Sequence, residues 1–192
     1  MTKKIILASS SPRRIEMMKS RGFDPEIIPA DVDETLPDGI GMRDAVMFLA
    51  LKKALAVESL LKEEERACGQ LIIAADTVVC KDGIIGKPKD RDDALSMLMR
   101  IKNTSHDVAT GVAVIAAGKP VRECFAEVTT VFCSDYDESQ LSEYLDSEEP
   151  YDKAGAYAIQ GWFSRFIDHY DGDFDNVVGF PWSRIEEKLK AF

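Results

Sequence analysis

One aspartate, Asp76, sits inside the run LIIAADTVVC (71–80). Burying a carboxylate among so many apolar neighbours is costly unless it is hydrogen-bonded, paired with a cation or bound to a metal. Taken alone, such a residue reads as a strand-end aspartate accepting backbone hydrogen bonds, but its company suggests more. Arg13 and Arg14 follow three serines, Ser9 to Ser11; Lys53 lies midway along a helix-patterned segment; and Lys87 occupies a G-K-P turn soon after Asp76. Guanidinium and ammonium groups take phosphate oxygens while a carboxylate takes a proton, so this set suits polyphosphate chemistry. The run DVDE (31–34) adds carboxylates. A divalent ion bridging phosphates needs only one or two of these from the protein, so Glu34 and Asp76 are the candidate ligands for Mg2+ or Mn2+, while Asp31 and Asp33 read as solvated. Gln160, in DKAGAYAIQG (152–161), offers an acceptor and donors that can read the edge of uracil or thymine, among small residues that let the backbone approach a ligand.

The elements that position these residues follow from local pattern. Lys4 to Ala8 reads as a buried strand, and SSSPRR as a helix start with Ser11 as cap and Pro12 in the first turn. That places Arg13 and Arg14 at a helix N-terminus, where free N–H groups and the helix dipole favour anions. A strand is expected over Phe23 to Ala30, a loop over DVDETLPDGIGM, and a long amphipathic helix from Arg43 to about Glu65. Leu71 to Cys80 is the most apolar strand candidate, with KDG as a turn after it. Asp90 caps a helix to about Ile101; His106 to Ala116 and Arg122 to Cys133 form an antiparallel pair; Asp137 to Leu145 is helical. The irregular EEPYDKAGAYAIQG precedes a strand-like FSRFIDHY, a DGDFDN turn and a last helix from about Pro181. Interleaved strands and helices with several antiparallel neighbours indicate a mixed α/β fold, with a partly antiparallel sheet and flanking helices.

Composition narrows the function classes. A chain of 192 residues that is 45% hydrophobic can bury one core, or two lobes sharing a cleft, as a single domain over 1–192. The formal charge of -10 argues against a broad nucleic-acid-binding face, but a small anion needs only a few cations gathered locally. Cys68, Cys80, Cys124 and Cys133 form no C-x-x-C pair and read as buried thiols of a reducing compartment; two histidines give little material for a zinc site. No run is long enough for a signal core or a membrane span, so a cytoplasmic protein without membrane association is expected. The motifs G-x-x-x-x-G-K-[ST], G-x-G-x-x-G and G-x-S-x-G are absent, which argues against a kinase, a dinucleotide dehydrogenase and a serine esterase.

In order and spacing, S-S-S-P-R-R (9–14), D-E (33–34), A-A-D-T-V-V (74–79), G-K-P (86–88), H-D-V-A-T-G-V-A-V (106–114) and D-K-A-G-A-Y-A-I-Q-G (152–161) closely resemble the Maf family of nucleoside triphosphate pyrophosphatases, along nearly the whole chain. The last segment resembles the branch acting on dTTP and UTP. The resemblance implies a two-lobed mixed α/β fold of the Maf and ITPase type with a central cleft, and a homodimer. It implies Asp76 as proton acceptor, Arg13, Thr77 and Gln160 as determinants of base choice, and Ser9, Arg14, Glu34, Lys53 and Lys87 around the triphosphate and metal. The expected reaction cuts a nucleoside triphosphate to the monophosphate and pyrophosphate, with modified pyrimidine nucleotides as a further substrate class. A non-hydrolysing nucleotide sensor linked to septum formation is the alternative. Trp162 and Phe163, where the family carries small residues, and Phe174 and Phe180 are departures expected to reshape the base pocket.

Overall fold

The computed structural model describes residues 5–190. Its centre is a seven-stranded sheet in the order β2-β1-β3-β5-β6-β7, with β4 also paired to β3. The strands are β1 (Ile5–Leu7), β2 (Glu26–Ile27), β3 (Leu71–Cys80), β4 (Ile84–Ile85), β5 (Ser105–Ala116), β6 (Arg122–Cys133) and β7 (Ile167–Asp171). β1 runs parallel to β2 and β3, and the other pairings are antiparallel, as expected for a mixed sheet. β3 is covered on both faces, which is why its sequence is continuously apolar rather than alternating.

Alternation along β3 sorts its side chains between two layers. Ile72 and Ala74 pack under α2 (Met42–Leu60) with Ala50, Ala54 and Val57. Ile73 and Ala75 point the other way, toward Met18 of α1 (Pro12–Ser20) and Trp182 and Ile185 of α7 (Trp182–Leu189). By the same rule, Asp76 faces α2 and Thr77 faces the α1 side. A further apolar cluster joins Val79 and Val108 to α4 (Arg91–Ile101), α5 (Glu138–Leu145) and the aromatic rings of Tyr136, Tyr144, Tyr157 and Phe163.

Gly111 fixes how closely α2 lies on the sheet. It stands opposite Asp76 in the β3–β5 register. A Cβ there would come within 2.3 Å of the Val46 backbone, so only the absence of a side chain lets the helix axis approach this far.

Several boundaries differ from those read in the sequence. The first strand spans Ile5–Leu7; Lys4 of the expected strand lies outside the described residues. The expected strand over 23–30 shrinks to Glu26–Ile27, because Pro25 and Pro29 flank it and supply no N–H for a ladder. The long helix stops at Leu60. Leu61 turns to extended backbone and drops its side chain into the core, and α3 (Glu63–Ala67) follows. FSRFIDHY is a strand only from Ile167. Before it, Trp162–Phe166 forms a 3-10 turn, whose three-residue period buries Phe163 and Phe166 together. The expected DGDFDN turn contains α6 (Phe174–Val178), capped by the Asp173 carboxylate and closed by left-handed Gly179. The cysteines are all free, but only Cys133 is buried. Cys68 is exposed in the turn after α3, and Cys80 and Cys124 are half-buried.

Candidate active site

Most of the residues singled out by chemistry come from distant stretches and meet at a cleft of about 420 Å³ and the hollow beside it. β1 delivers Ser9 and the start of α1, β3 delivers Asp76 and Thr77, α2 delivers Lys53, and the turn after β4 delivers Lys87. The cleft has a polar end and an apolar end. Arg13, Arg14, Lys53 and Lys87 with Glu34 line both it and an adjoining hollow of about 290 Å³ along the serine loop. Val79, Val108, Tyr157, Ile159, Val177 and Val178 line only the first. This is the division that a nucleotide requires, with phosphates at one end and a ring at the other.

Lys53 is the electrostatic centre. Its Nζ lies 2.6 Å from Asp76 Oδ1 and 2.7 Å from Glu34 Oε1. The Asp76 and Lys53 side chains are 12% and 13% exposed, whereas Glu34 is 57% exposed on the loop after β2. A buried carboxylate is tolerated here because it has a partner at charge-assisted hydrogen-bond distance.

Arg14 holds the wall opposite. Its Nε donates to the Gly179 carbonyl at 2.9 Å, Nη1 to the Ala75 carbonyl at 2.7 Å and to Ser9 Oγ at 3.3 Å, and Nη2 to Thr77 Oγ1 at 3.0 Å. Burial pushes its guanidinium down to about 10, against the pull of Asp76, so it stays protonated at neutral pH. Four acceptors on one planar fork make this a joint between β1, β3 and the α6–α7 corner, a task that a lysine cannot perform. Ser11 occupies the N-cap of α1 without a side-chain cap bond. Instead Ser9 Oγ accepts from the Ser11 N–H at 3.2 Å, folding the serine loop onto the helix start.

The segment 152–159 closes the other side. The Gly155 N–H donates to the Gly86 carbonyl at 2.9 Å, tying this segment to the turn that carries Lys87. Gly155 has a positive φ of 71°, and a Cβ there would meet Val79 at 2.9 Å, so the D-K-A-G run needs its glycine twice over.

The Maf-like protein family profile matches residues 4–192. The chain belongs to the Maf family. It is 43% identical over 191 residues to a protein of Pelotomaculum thermopropionicum named dTTP/UTP pyrophosphatase, covering 99% of this chain and 97% of that one. It is 42% identical over 189 residues to a protein of the same name from Caldicellulosiruptor bescii, covering 98% and 94%. Among solved structures it is similar to a HAM1 protein from Coxiella burnetii (TM-score 0.52, 15% identity, 98% of this chain and 96% of that one). The Staphylococcus aureus Ham1 protein is similar at TM-score 0.50 and 15% identity, covering 98% and 99%. At that identity, the likeness speaks for the fold.

On the Maf framework, Ser9, Arg13, Arg14, Glu34, Lys53, Asp76, Thr77 and Lys87 line the cleft or its adjoining hollow. Gln160 does not join them. It is exposed and outside the lining, while its neighbour Ile159 faces in. Trp162 and Phe163, expected to reshape the base pocket, also stay out of the cleft. Phe163 is fully buried among Tyr136, Tyr144 and Tyr157, and Trp162 stacks on Tyr144 at 5.2 Å. Both extend the aromatic core behind the 152–159 segment. Sequence reasoning missed Tyr157 and the Val177–Val178 pair, which line the cleft. The two valines stand in the D-N-V-V-G run, and that run was the available signal.

Glu34 and Asp76 both reach the one ammonium of Lys53, so two hard carboxylates converge on one point of the cleft. Among the described residues no group of three or more His, Cys, Asp or Glu side chains could hold a metal. Two protein carboxylates completed by substrate oxygens is a donor set that fits Mg2+ or Mn2+. No helix among the described residues is long and apolar enough to cross a membrane.

Proposed function

We propose that this protein hydrolyses dTTP and UTP to the nucleoside monophosphate and pyrophosphate, with Asp76 as the general base. The observation that carries this reading is the position of Asp76: a buried carboxylate, fixed by Lys53 at 2.6 Å, at the border between the cationic and apolar ends of the cleft. A ring seated against Val79, Val108 and Tyr157 with its phosphates toward Arg13 and Lys87 brings the α phosphorus to that border.

In this reading Asp76 accepts a proton from water as the water oxygen bonds to the α phosphorus. The bond from that phosphorus to the bridging oxygen breaks, and pyrophosphate departs with the electron pair. Arg13, Lys53 and Lys87 stabilise the charge growing on the phosphate oxygens, the main protein contribution to phosphoryl transfer. Arg14, committed to four acceptors, shapes the wall. Glu34 and Asp76 would hold a divalent cation, which when bound neutralises charge on the phosphates. The relatives named dTTP/UTP pyrophosphatase, at 42% and 43% identity across nearly the whole chain, support the substrate class. The same reading expects a cytoplasmic homodimer acting on free nucleotide.

The test is pyrophosphate release from a panel of ribo- and deoxyribonucleoside triphosphates with Mg2+ or Mn2+, beside a folded Asp76→Asn variant. Release from dTTP and UTP that falls by about 10²-fold or more in Asp76→Asn is expected. Near-wild-type turnover in that variant removes Asp76 from the role, and nucleotide bound but left intact by the wild-type chain turns the reading to a sensor.

A further inference from the structure

Behind Thr77, on the side away from the cleft, runs a line of buried hydrogen bonds. Thr110 stands directly across from Thr77 in the β3–β5 register, is fully buried, and places its Oγ1 3.0 Å from Thr77 Oγ1. The Thr110 hydroxyl donates to the Asn176 backbone carbonyl at 2.9 Å. Asn176 is itself fixed, since its buried side-chain amide donates to the Val108 carbonyl at 3.0 Å and to Thr129 Oγ1 at 2.9 Å.

A hydroxyl has one proton and two lone pairs. With the Thr110 proton engaged at Asn176, the contact between the two threonines is a hydrogen bond only if Thr77 donates. Arg14 Nη2 donates to the same Thr77 oxygen at 3.0 Å, occupying one lone pair. Thr77 is half-buried and lines the apolar end of the cleft but not the phosphate hollow. What it has left to offer a ligand is one lone pair and no proton.

We propose that Thr110 is a positioning residue that locks the Thr77 hydroxyl as a pure acceptor toward the ring, so that the site selects pyrimidines carrying an N3–H, uracil and thymine, over cytosine. This rests on the hydrolase reading and explains its base choice. Uracil N3–H donates to the free lone pair. Cytosine N3 is itself an acceptor, so two lone pairs face each other with no proton between them, and the ring nitrogen is left desolvated and unpaired. Sites built to hydrogen-bond a substrate group reject an analogue that cannot reciprocate.

The experiment is Thr110→Val, which keeps the volume and removes the hydroxyl. The Thr77 proton is then free to turn toward the ring. Two quantities are compared for wild type, Thr110→Val and Thr110→Ser: kcat/KM for UTP against CTP, and calorimetric affinity for UMP against CMP, which have no anhydride to cut. Wild type is expected to favour the uracil member by about tenfold or more in both. Thr110→Val should bring both ratios within about threefold, by gain for cytosine, and Thr110→Ser should restore them. A folded Thr110→Val variant with the wild-type ratios overturns the lock. Should that variant not fold, Thr110→Ala, which also removes the hydroxyl, takes its place with the same two outcomes, and a wild-type uracil preference below about threefold also overturns the lock. Uracil-selective binding that Thr110→Val abolishes, with no pyrophosphate released from any triphosphate, sinks the hydrolase reading and leaves the lock standing.

Discussion

Gly111→Ala gives a quantitative test of how the fold positions Asp76, the proposed base. The new Cβ would lie 2.3 Å from both C and O of Val46 and 2.6 Å from the Met47 nitrogen. These are backbone atoms of α2, so no side chain can swing aside. Ordinary non-bonded separation is about 3.5 Å, and the helix must therefore retreat by about 1 Å. α2 supplies Ala45, Val46, Leu49, Ala50, Ala54 and Val57 to the core, so its retreat loosens packing along its whole length. Overpacking costs about 1–3 kcal/mol, and a rigid backbone obstacle belongs at the upper end of that range. For a chain of this size, about 3 kcal/mol lowers Tm by roughly 6–12 °C.

The same movement carries Lys53 away from Asp76. A contact of 2.6 Å cannot survive a shift of about 1 Å unless the lysine re-extends, and misplacement on that scale costs about 10²-fold in rate. Thermal melts followed by circular dichroism and pyrophosphate release, measured on one preparation, read both effects. Gly41→Ala, at the start of the same helix, meets no atom closer than 4.0 Å and should shift Tm far less. A Gly111→Ala protein melting within about 2 °C of wild type, with turnover within about threefold, would refute the claim that this glycine sets the helix height.

Two further perturbations follow from the structure. Burial pushes His106 down to about 4, with Asp107 opposing and Lys81 assisting, while its Nε2 lies 2.5 Å from the Tyr157 hydroxyl. The unfolded chain takes up this proton below about pH 6.5 and the folded chain only near 4, so stability present above about 6.5 is lost as pH falls toward 4, by about 3 kcal/mol. Urea melts of His106→Gln should show a flatter pH dependence between pH 7 and 5 than wild type, and an equal slope would contradict this. Trp162→Ala should lower stability by about 3 kcal/mol through loss of its stack on Tyr144 and its contact with Arg165, yet leave KM for UTP unchanged within about twofold. A tenfold rise in KM would place Trp162 in the base pocket after all.

The legible parts of the fold were those governed by local rules. β3 and β6 carry patterns that fix their limits, and Asp90 and Asp137 accept from the N–H groups of Asp93 and Gln140 as their cap positions require. What escaped depends on tertiary context. The break at Leu61 is invisible to helical periodicity, because it exists to turn one leucine into the core below α2. Phe163 and Trp162 read as alterations of the base pocket only while their neighbours were unknown; the rings of Tyr136, Tyr144 and Tyr157 explain them as core. Asp76, Lys53 and Arg14 were found because charges beside apolar runs demand partners. Thr110 and Asn176 carry no charge and left no such sign.

The adjacency of Asp76 and Thr77 gives the site its logic. Two consecutive residues of a strand face opposite layers, so one position of β3 presents a carboxylate to Lys53 on α2 while the next presents a hydroxyl to Arg14 on α1. Across the register, Gly111 and Thr110 repeat the split: the glycine admits α2 beside Asp76, and the threonine orients Thr77. With the roles proposed for Asp76 and Thr77, chemistry is supported from one face of the sheet and base choice from the other, with the cleft spanning the strand between them. The two can change separately. A substitution on the Gly111 face should move kcat with little effect on the ratio of uracil to cytosine substrates, whereas one on the Thr110 face should move that ratio. Covalent neighbours with separable effects are what a single strand buried on both sides makes possible.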